Sequence, residues 1–327
     1  MGQIFAKLFS TYKRTENAAP KMKDSAADVT TAATGSTTNV LTEEHVSSLR
    51  SKRDFHTHQT STYWLPKDEE EQHRLTGQHF AVKELYEGNV LTSVKETLDF
   101  EKGISVLDVG CGAGSWIMDM IIDYPNCTYE GCDMVQVTNS NVTPSQFHWS
   151  YGNVIEKLDY PDNTFDFVHM RLFILALRES EWPIAIKEIL RVTKPGGVIQ
   201  LLEFDLKMTG NGNAAIEKAL NGIHMACRAR GQDPRIALQL EKLVAANENA
   251  KVIQTDYRSI DMTSNTSAAK KFLWDWREGV KSMLPVLGPK IGLETERVQE
   301  EFLQELCEGL VTSEAYTYMN DIAAQKI

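Results

Sequence analysis

The residues with the most evident chemical potential lie in the run Val106-Leu-Asp108-Val-Gly110-Cys-Gly112-Ala-Gly114-Ser-Trp116, where three glycines alternate behind an aspartate. Glycine lets the backbone turn sharply and lets a ligand lie against the main chain. The first turn of a following helix presents unpaired N–H groups to a carboxylate or phosphate. The chemistry on offer is cofactor binding. A dinucleotide fingerprint runs G-x-G-x-x-G, and the D-x-G-x-G-x-G spacing here departs from it, which disfavours a nicotinamide-dependent oxidoreductase. Gly-rich strand-to-helix turns also occur without any ligand, so the neighbouring residues have to decide.

A second strand is expected over Thr128 to Cys132, ending in Asp133, nineteen residues beyond Gly114. An acid at the end of a second strand can accept both hydroxyl protons of a ribose. Met134 follows, and its thioether can pack on an adenine face or fill a core gap. Tyr151-Gly-Asn153-Val154 precedes the run Leu158 to Arg171, and Glu188 to Glu203 reads as a helix end, a turn on Pro195-Gly196-Gly197 and a further apolar strand.

The glycine pattern resembles motif I of the class I S-adenosylmethionine (SAM) dependent methyltransferases, and the Lys194-Pro-Gly-Gly197 turn is similar to the family's other strong signature. The resemblance covers the chain from about Tyr63 onward. It implies an α/β fold, a Rossmann-like seven-stranded methyltransferase sheet with helices on both faces, an N-terminal helical cover and a last, antiparallel strand at Ala315 to Ile327. It implies SAM as the cofactor, held by Asp108, Gly110, Cys111, Gly112, Gly114, Asp133, Met134, Asn153 and Val154. The family usually has aspartate at the place of Asn153, whose amide oxygen can still accept from an exocyclic amine. Upstream, Tyr63-Trp-Leu-Pro66 through Arg74-Leu, together with Leu177 to Pro183, is similar to fungal LaeA-like methyltransferases. In that group the upstream segment covers the SAM pocket, which makes Tyr63, Trp64 and Arg74 site candidates. An amphipathic helix packing its Leu and aromatic positions on the sheet is the alternative.

In such enzymes the sulfonium methyl is already activated, so the protein mainly aligns the acceptor and excludes water, and no metal is required. Transfer to a carboxylate needs no base, whereas an alcohol or amine must lose a proton. Candidate bases near the carboxyl ends of strands four and five are His169, Glu203 and Asp205. His169 reads equally as a satisfied core histidine, and Glu203 as half of an ion pair. The acceptor, a small molecule or a protein, stays open, and so does a regulatory protein of this fold that binds SAM and acts through protein interaction.

The elements that must position these residues follow from periodicity. Asn213 to Gly231 and Ile236 to Asn247 are predicted helices, and Ala250 to Ile260 alternates like a strand. A helical insertion over 265–312 carries stripes on Ala268 to Met283 and Glu294 to Leu310, with Trp274, Trp276 and Arg277 as candidate acceptor contacts. The expected organisation is an N-terminal segment over 1–24, a disordered linker over 25–60 rich in Thr, Ala and Ser, and a methyltransferase domain over 61–327 with core motifs in 104–204.

A hydrophobic content of 42% with 24% charged residues predicts a soluble globular protein, and a net charge of −11 argues against general nucleic-acid binding. Cysteines at 111, 127, 132, 227 and 307 lack C-x-x-C spacing and read as reduced thiols of a cytoplasmic protein without a metal site. Within the loop, Cys111 meets an N–H environment that lowers a thiol pKa, although packing also accounts for it. At the start of the chain, Gly2 is placed for N-myristoylation, with Ala6 where the strict pattern wants Ser or Thr. Ile4, Phe5, Leu8, Phe9 and Tyr12 share one helical side beside Lys7, Lys13 and Arg14, and Gly2 to Phe9 resembles the myristoylated helix of Arf small GTPases. That resemblance implies a membrane surface as a partner.

Overall fold

A computed structural model describes residues 53–55, 61–137, 144–208 and 212–327. The readings made for residues 1–24, and for all of 25–60 except 53–55, lie outside the described residues. Two helices, α1 (Glu69–Tyr86) and α2 (Thr92–Thr97), precede the first strand. The chain then runs β1 (Ser105–Val109), α3 (Ser115–Asp123), β2 (Thr128–Asp133), β3 (Phe147–Tyr151), β4 (Phe165–Arg171), α4 (Trp182–Val192) and β5 (Thr193–Asp205). It continues through α5 (Ala214–Arg228), α6 (Leu240–Ala245), β6 (Ala250–Asp261), α7 (Ser267–Leu287), α8 (Glu296–Thr312) and β7 (Tyr316–Lys326).

The seven strands form one sheet in the order β3-β2-β1-β4-β5-β7-β6. Strands β1 to β5 are parallel, and β7 lies antiparallel between β5 and β6, as the family resemblance implies. The strand order reverses between β1 and β4, and in open α/β sheets the crevice outside the strand ends at such a point takes the ligand. Alternation along β1 explains how helices cover both faces. Val106 packs with Val94 of α2 and with Trp116 and Ile117 of α3, whereas Leu107 and Val109 join the core containing Ile186, Leu220 and Leu306 of α4, α5 and α8. Consecutive burial from Val106 to Val109 is what a parallel strand covered on both sides requires.

Two local features depart from the sequence reading. The Pro195-Gly196-Gly197 turn does not precede the fifth strand but is a bulge inside it: Phe165 pairs with Thr193, Phe167 pairs with Val198, and Gly196 takes φ +79°. The buried face of α1 is polar over its first half, with Glu71, Arg74, Gln78 and His79 inside, and turns apolar only at its end, with Ala81, Val82 and Leu85. Neither a Leu stripe nor an aromatic stripe docks this helix. Its start is secured by Asp68, whose carboxylate accepts from the Glu71 N–H at 3.1 Å and pairs with Arg53 at 2.7 Å.

Candidate cofactor and acceptor site

The glycine loop joins β1 to α3 at the switch point. Gly110 adopts φ +69°, and a Cβ built there would stand 2.4 Å from the Phe173 ring, so only glycine fits. The N–H groups of Gly110 and Cys111 donate to the Cys132 carbonyl at 2.8 and 3.1 Å, which ties the loop to the end of β2. Gly114 is the N-cap of α3 with φ +81° and offers no side-chain cap, leaving the first turn of that helix without one.

Asp133 is built into the same loop. One oxygen accepts from the Gly112 N–H at 2.9 Å and the other from the Val135 N–H at 3.0 Å. Burial raises its pKa, against the lowering effect of those N–H donors. A cleft of about 220 Å³ lies above, lined by Asp108, Gly110, Cys111, Gly112, Asp133, Met134, Asn153, Val154 and Tyr63. Gly114, the remaining expected binding residue, does not line it; a Cβ there would meet the Phe147 ring at 2.6 Å, so its task is close packing. Asn153 is turned into its own loop, accepting from the Ile155 N–H at 3.3 Å and donating to Glu156 at 3.2 Å.

The three candidate bases stand elsewhere. His169 Nδ1 bonds Asp108 at 2.8 Å while its ring stacks on Trp116 with centroids 3.9 Å apart, and burial lowers its pKa. The neutral ring donates from Nδ1 and orients the Asp108 carboxylate from within the core. Glu203 is buried, and its oxygens accept from the Phe173 and Ile174 N–H groups at 2.6 and 3.0 Å. Burial pushes its pKa up to about 8 against the effect of those donors. It anchors the segment after β4, and among the described residues it forms no ion pair, against the alternative reading of it as half of one. Asp205 is held by Arg235 and by the Tyr257 hydroxyl. None of the three lines the cleft. The thiol of Cys111 also departs from the loop-based reading, since burial drives its pKa up rather than down.

Of the cover candidates, Tyr63 lines the cleft, Trp64 is buried with its indole N–H donating to Gln232 at 3.2 Å, and Arg74 lies in an ionic cluster with Glu71 and Asp275. Of the insertion candidates, Trp276 lines a second cavity, whereas Trp274 is 38% exposed and Arg277 pairs with Glu278 and Glu300.

Sequence reasoning missed Gln72, Gln78 and Arg171, all of which line the cleft. The Gln72 amide oxygen is buried with no hydrogen-bond partner and would be 3.9 Å from a Cβ at Gly112. An orphaned acceptor beside the loop calls for a donor. Arg171, at the end of β4, donates to His79 Nδ1 at 3.0 Å, and His79 Nε2 bonds Asp119 at 3.1 Å. Burial lowers the pKa of His79 to about 4, so its ring is neutral and the two bonds fix one tautomer, with Nε2 donating and Nδ1 accepting. Among the described residues no carboxylate lies within ion-pair distance of Arg171, and burial lowers its pKa. No sequence signal marks it beyond a cation closing an apolar strand.

Residues 106–197 match the family described as a methyltransferase domain. That stretch carries a methyltransferase domain. Its relatives include the secondary metabolism regulator laeA of Coprinopsis cinerea, 29% identical over 171 residues, which covers 52% of this chain and 42% of that protein. They also include methyltransferase grgD of Penicillium sp, 25% identical over 241 residues, 66% of this chain and 83% of that one. The match thus spans less than half of the laeA relative. Among solved structures, a putative sarcosine dimethylglycine methyltransferase from Galdieria sulphuraria is 14% identical with a TM-score of 0.46, covering 86% of this chain and 98% of that one.

The cofactor that the family resemblance implies is SAM, and the residues present fit it. The glycine cradle would be filled by any Cβ at Gly110, and Gln72 supplies an unpartnered acceptor. SAM brings a donor for each class of acceptor in the cleft and one anion for Arg171.

Proposed function

We propose that this chain transfers the methyl group of SAM to a small-molecule or protein acceptor, through a domain spanning residues 61–327. The observation that carries the reading is the convergence of the glycine loop, Asp133, Gln72 and Arg171 on one cleft at the β1/β4 switch point. Asp133 would hold the ribose hydroxyls, Asn153, Met134 and Val154 would face the adenine, Gln72 would accept from the ammonium, and Arg171 would pair with the carboxylate. When bound, SAM supplies a sulfonium methyl group activated for in-line displacement. Tyr63 and the Gln72 to Gln78 stretch of α1 cover the cleft and keep water from it. Because His169 and Glu203 do not line the cleft, alignment of the acceptor is the contribution assigned to this chain.

Tracing labelled methyl from SAM into a lysate supplied with the protein tests the reading: label should enter a new product. A second reading, a regulator that binds SAM and works by protein interaction, is favoured by the likeness to proteins named secondary metabolism regulators. SAM binding with no label in any product would select it. For the N-terminus we propose acylation at Gly2 and attachment to a membrane surface, supported by the placement of Gly2 and by the apolar side and lysines of the following residues. Intact-mass measurement of the native N-terminus tests this; a Gly2 without added mass contradicts it.

A further inference from the structure

Beside the cofactor cleft lies a second cavity of about 90 Å³, and the two share Tyr63, Leu75, Gln78 and Leu172 as a common wall. The remaining walls come from elements far apart in the chain, among them Ile174 after β4, Phe204 of β5, Ile223 of α5 and Val280 of α7. Apolar side chains make up most of this surface. Its charged lining consists of Arg74 and Asp275, which pair with each other at 3.0 Å.

With Arg53 Nη2 3.9 Å from Glu71, the cluster sets two guanidinium groups against two carboxylates, so those charges are already matched. Arg74 also donates to Glu71 through Nε and Nη2 at 3.0 and 2.6 Å, and the other Glu71 oxygen accepts from the Ser282 hydroxyl at 2.6 Å. Asp275 accepts from Gln78 Nε2 on both oxygens, at 3.2 and 2.9 Å. A charged guest would be stripped of water with no unmatched counter-ion to receive it, which disfavours it strongly in such surroundings. A polypeptide guest would bring backbone N–H and C=O groups against a wall with few partners for them. Gln78 stands on the wall shared with the cleft, and with its nitrogen bound to Asp275 the group its amide has left for a guest is the carbonyl oxygen, an acceptor.

We propose that this cavity receives the apolar body of an uncharged small-molecule acceptor, whose hydroxyl group donates to the Gln78 carbonyl where the cavity meets the cleft. The proposal rests on reading the larger cleft as the SAM site. Calorimetry on the full chain loaded with S-adenosylhomocysteine (SAH) tests it, with three probes of similar size: thymol (neutral with a hydroxyl), cymene (neutral without one) and cuminate (an anion). Thymol should bind about tenfold or more tightly than cuminate and more tightly than cymene. In Gly279→Leu a Cβ meets nothing nearer than Arg74 Nη1 at 3.9 Å, so the new side chain fills the cavity. It should weaken thymol about tenfold while SAH affinity is kept. Met283→Trp fills the same space with another side chain and should act alike.

Cuminate binding as tightly as thymol, cymene binding as tightly as thymol, thymol insensitive to both filling variants, or no thymol binding at all overturns the proposal. If SAH itself fails to bind, the reading of the larger cleft falls, and the same thymol titrations on the unloaded protein still decide the cavity.

Discussion

The two neighbouring cavities share a wall of four residues and are built on opposite plans. The cofactor cleft is organised by one backbone feature, the glycine loop, with Asp133 and Arg171 at the ends of β2 and β4 set among apolar side chains and covered by α1, and its residues all fall between Ser61 and Glu181. The second cavity is made of ordinary apolar side chains from distant elements, with one buried ionic cluster on its α1 and α7 side. A cofactor of fixed shape can be read by a fixed loop. An acceptor is recognised by whatever volume the surrounding helices leave, and that volume has no local signature.

Breaking the ionic cluster should give the largest effect. Arg74→Leu leaves Asp275 buried without its cation and Glu71 with Arg53 alone, 3.9 Å away, and should cost about 3–5 kcal/mol in urea unfolding, while the folded fraction keeps its affinity for SAH. Equal losses of stability and SAH affinity would show that the two cavities are one site.

The wall between α1 and α3 should respond to acid. His79 is neutral in the folded protein, with a pKa near 4, whereas the unfolded chain takes up its proton below about 6.5. Its contribution is therefore intact above pH 6.5 and is lost as pH falls toward 4, amounting to about 3 kcal/mol. His79→Gln should flatten that part of the stability profile, and an unchanged profile would place the acid sensitivity elsewhere.

Within the cleft, Gly110→Val combines a positive φ with a clash on Phe173 and should weaken SAM about a hundredfold by calorimetry, leaving thymol binding to the second cavity in place. The smallest of these effects belongs to Arg171→Gln, which should weaken SAM about tenfold by removing the cation assigned to its carboxylate. Adenosine, which lacks that carboxylate, should bind the variant and the parent alike. A matching loss for adenosine would make Arg171 a structural residue.

The parallel part of the sheet was largely legible because β1 to β4 are short runs closed by turn residues, and because Asp133 stands where β2 ends. The glycine loop was legible for the same reason, since its backbone geometry demands particular residues at fixed spacing. The cover helix was not, because periodicity looks for apolar stripes and α1 buries Glu71, Arg74, Gln78 and His79. Those side chains are satisfied by partners such as Asp275 and Asp119, which lie far along the chain. Arg171 was hidden likewise, as its setting depends on His79, ninety-two residues away. The roles weighed for His169 and Glu203 turned on which way each side chain faces. Both face groups that shape the cleft from behind, Asp108 in one case and the backbone after β4 in the other.

The central claim is that the cleft over the glycine loop takes SAM and not a dinucleotide. Calorimetric titration of the full chain with SAM and, separately, with NAD tests it most directly. SAM should bind saturably and one to one, with no heat from NAD; binding of NAD, or no binding of SAM at millimolar concentration, would place another ligand in the cleft.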